Sequence, residues 1–308
     1  GHRELVGRPV WECVRNETVR TVVGQALKGR ERSAECELPR SNTVVEIEAT
    51  PLAGNPCPGV VLVFHDVTEL RRLENIRRDF ASNVSHELKT PLTIIQTSAE
   101  TLLDGAIDDP EYARRFLHRI DEQGQRLHEL IVDLLQLARI ESREQAFDVT
   151  SVSVRLVVQS LMDEMLSLSQ SRKVALELGE TSEELHVAAD RGAFRTIMQN
   201  LLSNGLKYTP EGGRVTISWH QDQTHGVIAV RDTGVGISRE QQARIFERFY
   251  RVDRARTREI GGTGLGLAIV KHLASVFSAQ VSVESAIGKG SVFSLRIPLA
   301  DVTDDRRP

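Results

Sequence analysis

A histidine in the middle of a predicted helix is placed to act as a nucleophile. Residues 85–93 read SHELKTPLT. At about 100° per residue, Val84 and Leu88 lie on one face of this helix, and His86 lies about 160–200° from both. The apolar pair predicts the buried face, so the imidazole of His86 points to solvent. An exposed imidazole is largely neutral at neutral pH and can therefore attack a phosphoryl group.

Two residues close to His86 can assist such an attack. The carboxylate of Glu87 can accept the proton of Nδ1 and leave Nε2 as the attacking atom. Thr90 lies four residues on, on the same face of the helix. Its hydroxyl can orient a water molecule that hydrolyses a phosphorylated partner. The predicted catalytic residues are therefore His86, Glu87 and Thr90.

A second predicted helix, residues 190–208, carries two amides and a lysine on one polar face. Asn200, Asn204 and Lys207 lie within about 60° of one another. Amide oxygens suit a Mg²⁺ ion that keeps several waters and binds phosphate oxygens, so Asn204 is the predicted ligand and Asn200 a second candidate. Lys207 can offset phosphate charge, and Tyr208 can add a hydrogen bond. The polar face of an ordinary amphipathic helix is the alternative interpretation.

An aspartate followed by a glycine turn predicts an adenine site. Asp232 ends a predicted strand at the start of DTGVGI. Its carboxylate can accept a hydrogen bond from the exocyclic amine of adenine, which favours ATP as the nucleotide. Gly234 and Gly236 allow the backbone to approach the ring closely.

A glycine-rich loop, GGTGLGLAIVK at residues 261–271, precedes another predicted helix. Its glycines free the backbone to wrap phosphates, and the first N–H groups of the helix attract anions. The intervening lid contains IFERFYRVD, from which Arg251 can reach a phosphate, and Phe246 and Phe249 are expected to anchor this lid to the core. The loop residues predicted to contact the nucleotide are Gly262, Thr263, Gly264, Leu265 and Gly266.

Length and composition indicate a soluble chain with several domains. With 308 residues, 40% hydrophobic and 27% charged, two or three domains are expected. A formal net charge of -4 gives no whole-chain attraction to nucleic acid. The three cysteines, Cys13, Cys36 and Cys57, have no metal-site spacing. The chain has no initiator Met and no apolar run near the roughly 20 residues that span a bilayer, and we expect it to be a fragment of a longer protein.

The pattern of apolar residues predicts three domains and a tail. Residues 1–69 mix a short helix with strands, which indicates a small α+β domain. Residues 70–145 carry two long amphipathic stripes around a short link, which predicts an antiparallel hairpin that pairs with a second copy as a four-helix bundle. Residues 149–300 alternate helices and strands, which predicts an α/β sandwich with helices on one face of a mixed sheet. The charged tail, 301–308, is predicted to be disordered.

Taken in order, these motifs resemble those of sensor histidine kinases of two-component systems. SHELKTPLT resembles the H box, and NLLSNGLKYT, DTGVGI, IFERFYRVD and GGTGLGLAI resemble the N, F and glycine-rich boxes of the ATP-binding domain. That domain shares its fold with DNA gyrase and a family of heat-shock chaperones. The resemblance covers about residues 70–300, and one departure is Gly205, where alanine is usual.

The resemblance implies a function for each part. A homodimeric kinase would use ATP and Mg²⁺ to phosphorylate His86 and would pass the phosphoryl group to an Asp of a response regulator, with Thr90 assisting dephosphorylation. VLVFHDVTEL resembles the end of a PAS sensor domain, which implies a partial PAS-like domain at residues 1–69. An unrelated α+β module is the alternative. The stretch DVTELRRLENIRRDFASNVSHELKTPLT looks most similar to the phosphate-regulon branch of the family. This resemblance implies that the chain is the cytoplasmic portion of a longer protein anchored in the bacterial inner membrane.

Two other functions are compatible with parts of the pattern. An ATPase of the same fold that drives a conformational clamp would use a glutamate at the position of Asn200 to activate water, and an amide cannot act as that base. An inactive scaffold that dimerises through the hairpin would be expected to have lost some of these motifs, and all of them are present.

Overall fold

A computed structural model describes residues 14, 16–28, 30, 32–38, 43–142, 146–182, 184–252 and 262–300. The chain divides into two compact units, Gly1–Val84 and Ser85–Pro308. The predicted tail at 301–308 and residues 143–145 at the end of the predicted hairpin region lie outside the described residues.

The first unit is a three-stranded antiparallel sheet covered by one helix. Helix α1 spans Glu17–Ala26, and strands β1 (Arg32–Leu38), β2 (Thr43–Pro51) and β3 (Val60–Asp66) pair in that order. Asn16 caps α1, because its side chain accepts from the Thr18 N–H. The core of this unit is formed by Val19, Val22, Ala26, Cys36, Val45, Ile47 and Ala49. A partial PAS identity for this unit stays a prediction.

Two long helices form the hairpin. Helix α2 spans Thr68–Leu103, a 3₁₀ turn follows at Ala106–Asp108, and helix α3 spans Pro110–Glu141. Asp109 caps α3, because its side chain accepts from the N–H groups of Glu111 and Tyr112. Glu87 and Arg126 form an ion pair, and each lies sixteen residues from the end of its helix at the link, so the helices run antiparallel.

The hairpin leaves much of its apolar surface open in the single chain. Leu92 is 48% exposed and Leu117 is 57% exposed. Only a few described residues of α2 and α3 are buried, among them Leu102, Leu130 and Leu137. Among the described residues, no helix combines the length and apolar character that crossing a membrane requires.

The remaining part of the second unit is a two-layer α/β domain. Its central sheet has the order β5-β7-β8-β10-β9, with β5 parallel to β7 and the other pairs antiparallel, and β4 pairs with β6 in a small second sheet. The elements are β4 (Thr150–Ser153), α4 (Val154–Arg172), β5 (Ala175–Thr181), β6 (His186–Ala189), α5 (Arg191–Tyr208), β7 (Arg214–Asp222), β8 (His225–Asp232), α6 (Arg239–Gln242), α7 (Gly266–Val276), β9 (Gln280–Ala286) and β10 (Gly290–Pro298).

Strand alternation explains why the sheet has one buried face. In register, Ile217 of β7 faces Val230 of β8, and Val230 faces Phe293 of β10, and all three are buried. Helix α5 packs between α4 and α7 and presents Phe194 and Leu201, both fully buried, to the interior. The predicted sandwich with helices on one face is confirmed. The short helix α6 and strand β1 were not predicted.

Candidate functional site

The structure places His86 where the helical wheel predicts it. The residue is exposed on α2, which continues without a break through Pro91. The Thr90 hydroxyl donates to the backbone carbonyl of His86 at 3.2 Å. The imidazole is therefore accessible to a second domain, and Thr90 is held one turn away on the same helix.

Glu87 is engaged by the second helix of the hairpin. Its Oε2 lies 3.4 Å from a guanidinium nitrogen of Arg126, and both side chains are roughly three-quarters buried. Sequence reasoning assigned Glu87 to the Nδ1 proton of His86 and did not find Arg126. The ion pair holds the carboxylate on the α3 side of α2.

The polar face of α5 lines a cavity of about 590 Å³. Asn200, Asn204, Lys207 and Tyr208 all contribute to its wall, as the wheel analysis predicts. The opposite wall comes from the glycine-rich loop and from the lid. The predicted residues that line this cavity with α5 are Arg251, Gly262, Thr263, Gly264 and Gly266.

The amide of Asn200 is oriented by its neighbours. Its Nδ2 donates to the carbonyl of Thr196 at 3.0 Å, and its Oδ1 is directed at Gly266 at the start of α7. A Cβ at position 266 would lie 2.3 Å from this oxygen, so a larger residue there would displace the Asn200 amide. The neutral amide oxygens of Asn200 and Asn204 fit a hydrated Mg²⁺, and the start of α7 beside them favours the anionic phosphates.

A second cavity continues from the first and matches the predicted adenine site. It shares Asn204, Lys207, Tyr208 and Arg251 with the first cavity, and Asp232 and Gly236 lie in its wall. Apolar side chains complete it, as expected for a pocket that takes a planar ring. These are Val235, Ile237, Ile245, Val252, Leu267 and Phe293.

Asp232 is buried and held by backbone donors. Its Oδ1 accepts from the N–H of Gly234 at 2.8 Å and from the N–H of Ser291 at 3.2 Å. Burial raises the pKa of the carboxyl, and these hydrogen bonds oppose the rise. Gly236 has a φ of 70°, and a Cβ there would lie 2.0 Å from the carbonyl oxygen of Ala286. The turn therefore needs glycine at this position.

Two residues that were predicted to contact the nucleotide, Gly234 and Leu265, line neither cavity. Gly234 lines neither cavity and acts through its N–H on Asp232. Leu265 is fully buried, and its N–H donates to the Thr263 hydroxyl at 3.2 Å. Tyr208 lies at the cavity edge, where burial raises the pKa of its phenol and Arg251 opposes the rise.

The lid is anchored by a different residue from those predicted. Ile245 is buried, whereas Phe246 and Phe249 are only partly buried. The backbone N–H of Phe249 donates to the carbonyl of Gly264 at 2.8 Å, which joins the lid to the glycine-rich loop. A β-branched aliphatic side chain fills the core under the lid, and sequence periodicity gave no signal for it because the lid has little regular structure.

Helix α3 contacts the α/β domain along a line that we call the docking seam, formed by Asp133, Gln136 and Glu141 on α3. The Thr263 hydroxyl donates to Asp133 Oδ2 at 2.5 Å, and Gln136 Nε2 donates to Thr196 Oγ1 at 3.2 Å. Glu141 pairs with Arg248. Sequence reasoning missed these contacts, because Asp133 and Gln136 have the spacing of any polar helix edge.

Asp133 lies in a charged environment. Burial raises the pKa of its carboxyl, the hydrogen bond from Thr263 lowers it, nearby Glu129 raises it and Lys207 lowers it. Asp133, Glu129 and Lys207 all line the first cavity. The phosphate end of the predicted nucleotide site is thus bounded by two carboxylates from the hairpin.

Two protein-family models match the chain. The model described as histidine kinase-, DNA gyrase B- and HSP90-like ATPase matches residues 189–301. The His Kinase A (phospho-acceptor) domain model matches residues 76–143. The first match covers the α/β domain from the end of β6 onward, and the second covers most of the hairpin.

Relatives of known name are sensor histidine kinases. The sensor-like histidine kinase SenX3 of Mycobacterium tuberculosis (strain H37Rv) is 37% identical over 300 residues, which are 97% of this chain and 72% of SenX3. The phosphate regulon sensor protein PhoR of Pseudomonas aeruginosa is 37% identical over 247 residues, 80% of this chain and 56% of PhoR. WalK of Bacillus subtilis is 35% identical over 249 residues, 80% of this chain and 41% of WalK. The chain spans about half the length of these last two relatives.

Solved structures give the same fold. The histidine kinase ThkA in complex with the response regulator protein TrrA has a TM-score of 0.60 at 21% identity, covering 97% of this chain and 89% of that chain. Full-length ShkA in complex with AMPPNP has a TM-score of 0.54 at 26% identity, covering 70% of this chain and 47% of that chain.

A phospho-acceptor hairpin followed by an ATPase-type α/β domain defines the class of two-component kinases. The chain belongs to the sensor histidine kinase family.

Proposed function

We propose that the chain is an ATP-dependent protein-histidine kinase that phosphorylates its own His86. One observation carries this proposal: an exposed imidazole on the hairpin and a cavity lined by amides, a lysine and a glycine-rich loop belong to the same chain. ShkA, a relative of the same fold, is in complex with AMPPNP, which supports ATP as the nucleotide.

In the proposed reaction, Nε2 of His86 attacks the γ-phosphorus of ATP in line with the bond to the β–γ bridging oxygen. The new N–P bond forms, the P–O bond breaks, and ADP leaves with the electron pair. The proton on Nδ1 passes to Glu87, which Arg126 holds between the two helices. Positioning and charge neutralisation supply most of the rate.

The α/β domain binds and orients the nucleotide. The Asp232 carboxylate accepts from the adenine amine, Lys207 and Arg251 offset phosphate charge, and the glycine-rich loop wraps the phosphates. Asn204, with Asn200 beside it, would hold Mg²⁺. When bound there, the metal would neutralise part of the phosphate charge.

We further propose the following steps beyond autophosphorylation. The phosphoryl group passes from His86 to an Asp of a response regulator, as the complex of ThkA with TrrA supports for a protein of this fold. The exposed apolar stripe of the hairpin packs against a second copy as a homodimer. Thr90 assists dephosphorylation of the regulator, and Thr90→Ala should lose this activity.

The signal and location are also proposals. PhoR is one of the relatives, which supports a phosphate response, although SenX3 and WalK match equally well. We propose that the parent protein is anchored in the bacterial inner membrane through segments outside this chain, with residues 1–69 as a partial PAS-like sensor domain.

Labelling with γ-labelled ATP tests the central proposal. His86→Gln should remove phosphate incorporation while nucleotide binding stays unchanged. The matched control is His118→Gln, because His118 is also an exposed histidine on the hairpin. Persistent labelling of the His86 variant would refute the assignment.

Release of free phosphate separates this function from the clamp-type ATPase. With no acceptor protein present, the kinase should turn over ATP slowly, because its phosphorylated histidine accumulates. Rapid steady release of phosphate that persists in His86→Gln would favour the ATPase.

A further inference from the structure

The docking seam contacts the glycine-rich loop, which in the proposed function binds the phosphates of the nucleotide. Thr263 lies in this loop, and its hydroxyl donates a hydrogen bond to the Asp133 carboxylate at 2.5 Å. Thr263 is buried in this arrangement. A phosphate that uses the same loop meets a hydroxyl already engaged by an anionic group of the hairpin.

The charges at this wall oppose a triphosphate. Glu129 lies one helical turn before Asp133, and both side chains line the cavity that holds Lys207. Like charges repel more strongly where protein atoms replace part of the surrounding water, as they do in this cavity wall. Two carboxylates on one wall therefore weaken the binding of ATP more than that of ADP, which carries one phosphate fewer.

The docked position also keeps the phosphate loop away from His86. Glu87, the neighbour of His86, pairs with Arg126 across the hairpin. Asp133 lies seven residues beyond Arg126 on α3, which is about 10 Å of helix axis. Attack requires reacting atoms about 3–3.5 Å apart. The seam therefore holds the phosphate loop about two helical turns along α3 from the level of Glu87.

We propose that Asp133 lowers the affinity of the chain for ATP. Its contact with Thr263 favours docking of the α/β domain on α3 while the phosphate site is empty. Binding of Mg·ATP then releases the α/β domain from α3, so that it can approach His86. The inference rests on the proposed function for the identity of the nucleotide. Linkage makes the effect reciprocal, so docking weakens ATP binding by the same factor by which ATP weakens docking. Gln136 and Glu141 support docking without occupying the phosphate loop.

Binding of Mg·AMPPNP to the full chain tests the inference. Asp133→Asn keeps an acceptor oxygen for Thr263 and removes the charge. This variant is expected to bind Mg·AMPPNP about tenfold more tightly than the unmodified chain, with a smaller gain for ADP. Asp121→Asn is the matched control, because Asp121 is an exposed aspartate on the same helix that lines no cavity described here, and its affinity should be unchanged.

Equal or weaker binding of Mg·AMPPNP by Asp133→Asn would overturn the inference, and weaker binding would mean that the carboxylate serves the metal instead. If Asp133→Asn fails to fold, the same binding measurement is made on Gln136→Ala. It removes the contact with Thr196 and should bind Mg·AMPPNP about twofold to threefold more tightly. An unchanged or lower affinity in this second variant would equally count against release by nucleotide.

Amide hydrogen exchange reads the release directly. In the unmodified chain, α3 residues 133–141 should exchange faster when Mg·AMPPNP is added. In Gln136→Ala, which loses a docking contact, they should exchange faster already without nucleotide. Slower exchange on nucleotide addition would contradict release. Failure of the unmodified chain to bind AMPPNP would instead remove the proposed function, so the two failures are distinguishable.

Discussion

The hairpin and the α/β domain use their apolar residues in opposite ways. In the α/β domain, Phe194, Leu201 and Trp219 are fully or almost fully buried within a single chain. In the hairpin, Leu92 and Leu117 stay about half exposed. A two-layer sandwich closes its own core, whereas two helices side by side can bury only one narrow stripe each. The proposed nucleotide site therefore lies in a domain that closes its core within one chain. The proposed acceptor, His86, lies on an element whose apolar stripe stays exposed in the single chain.

The chemical groups follow the same division. Asn200 and Asn204 are partly buried on α5, and the packing of α5 between α4 and α7 fixes their positions. His86 is exposed on α2. A group that holds a nucleotide benefits from rigid placement, and a group that serves two partner domains must be reachable.

The largest expected effect is at the proposed Mg²⁺ ligand of the α/β domain, Asn204. Asn204→Ala should lower the rate of His86 labelling on the order of 10³-fold, because charge on the transferred phosphoryl group is no longer offset. Asn204→Asp, which keeps an oxygen ligand, should retain more activity. Initial rates with γ-labelled ATP measure both variants, and equal rates for Asn204→Ala and the unmodified chain would remove the metal assignment.

A core truncation tests the self-sufficiency of the α/β domain. Leu201→Ala should lower the free energy of unfolding of this domain by about 2–5 kcal/mol, because it opens a cavity in a fully buried site. The loss should not depend on protein concentration. Urea unfolding monitored by Trp219 fluorescence measures it, and a loss below about 1 kcal/mol would show that the core is more adaptable than its burial indicates.

A truncation on the hairpin tests its need for a partner. Leu92→Ala should weaken the dimer about tenfold, because a leucine half exposed in one chain becomes buried between two. The matched control is Leu156→Ala, since Leu156 is a 60% exposed leucine on α4 of the α/β domain. Sedimentation over a range of concentrations measures the dimer. Equal effects of the two variants would contradict a dimer through this stripe.

The smallest expected effect is the pH dependence of ATP binding at Asp232. Burial raises the pKa of this carboxyl, so a falling pH protonates it earlier than an exposed aspartate. The protonated form loses the charged acceptor for the adenine amine, and ATP affinity should fall a few-fold as the pH drops through that pKa. Asp232→Asn should bind more weakly but lose this component of the pH dependence. Titration calorimetry at several pH values measures both, and parallel pH profiles would count against the role of Asp232.

Much of the candidate site was predictable from local spacing. The polar face of α5 and the exposed His86 both follow from helical periodicity, which depends only on the 100° step between residues. The start of α3 at Pro110 follows from the Asp109 cap. Strand β1 was missed because its apolar residues, Ala34, Cys36 and Leu38, are weak strand signals. Helix α6 was missed because four residues carry no periodicity.

Other parts depended on distant contacts. Arg126, Asp133 and Gln136 look like ordinary polar residues of an amphipathic helix until the chain brings Glu87, Thr263 and Thr196 beside them. Ile245 became the buried residue of the lid because the lid folds back onto the glycine-rich loop through Phe249 and Gly264.

The amino-acid sequence by itself determined the kinds of element, the faces that carry the amides and the histidine, and the family of the chain, because short-range geometry and residue chemistry govern all three. The tertiary structure decided which carboxylate meets the phosphate loop, where Glu87 points and which side chain secures the lid. Those pairings join residues as many as 130 positions apart, and their energies arise only when packing brings the groups within hydrogen-bond distance.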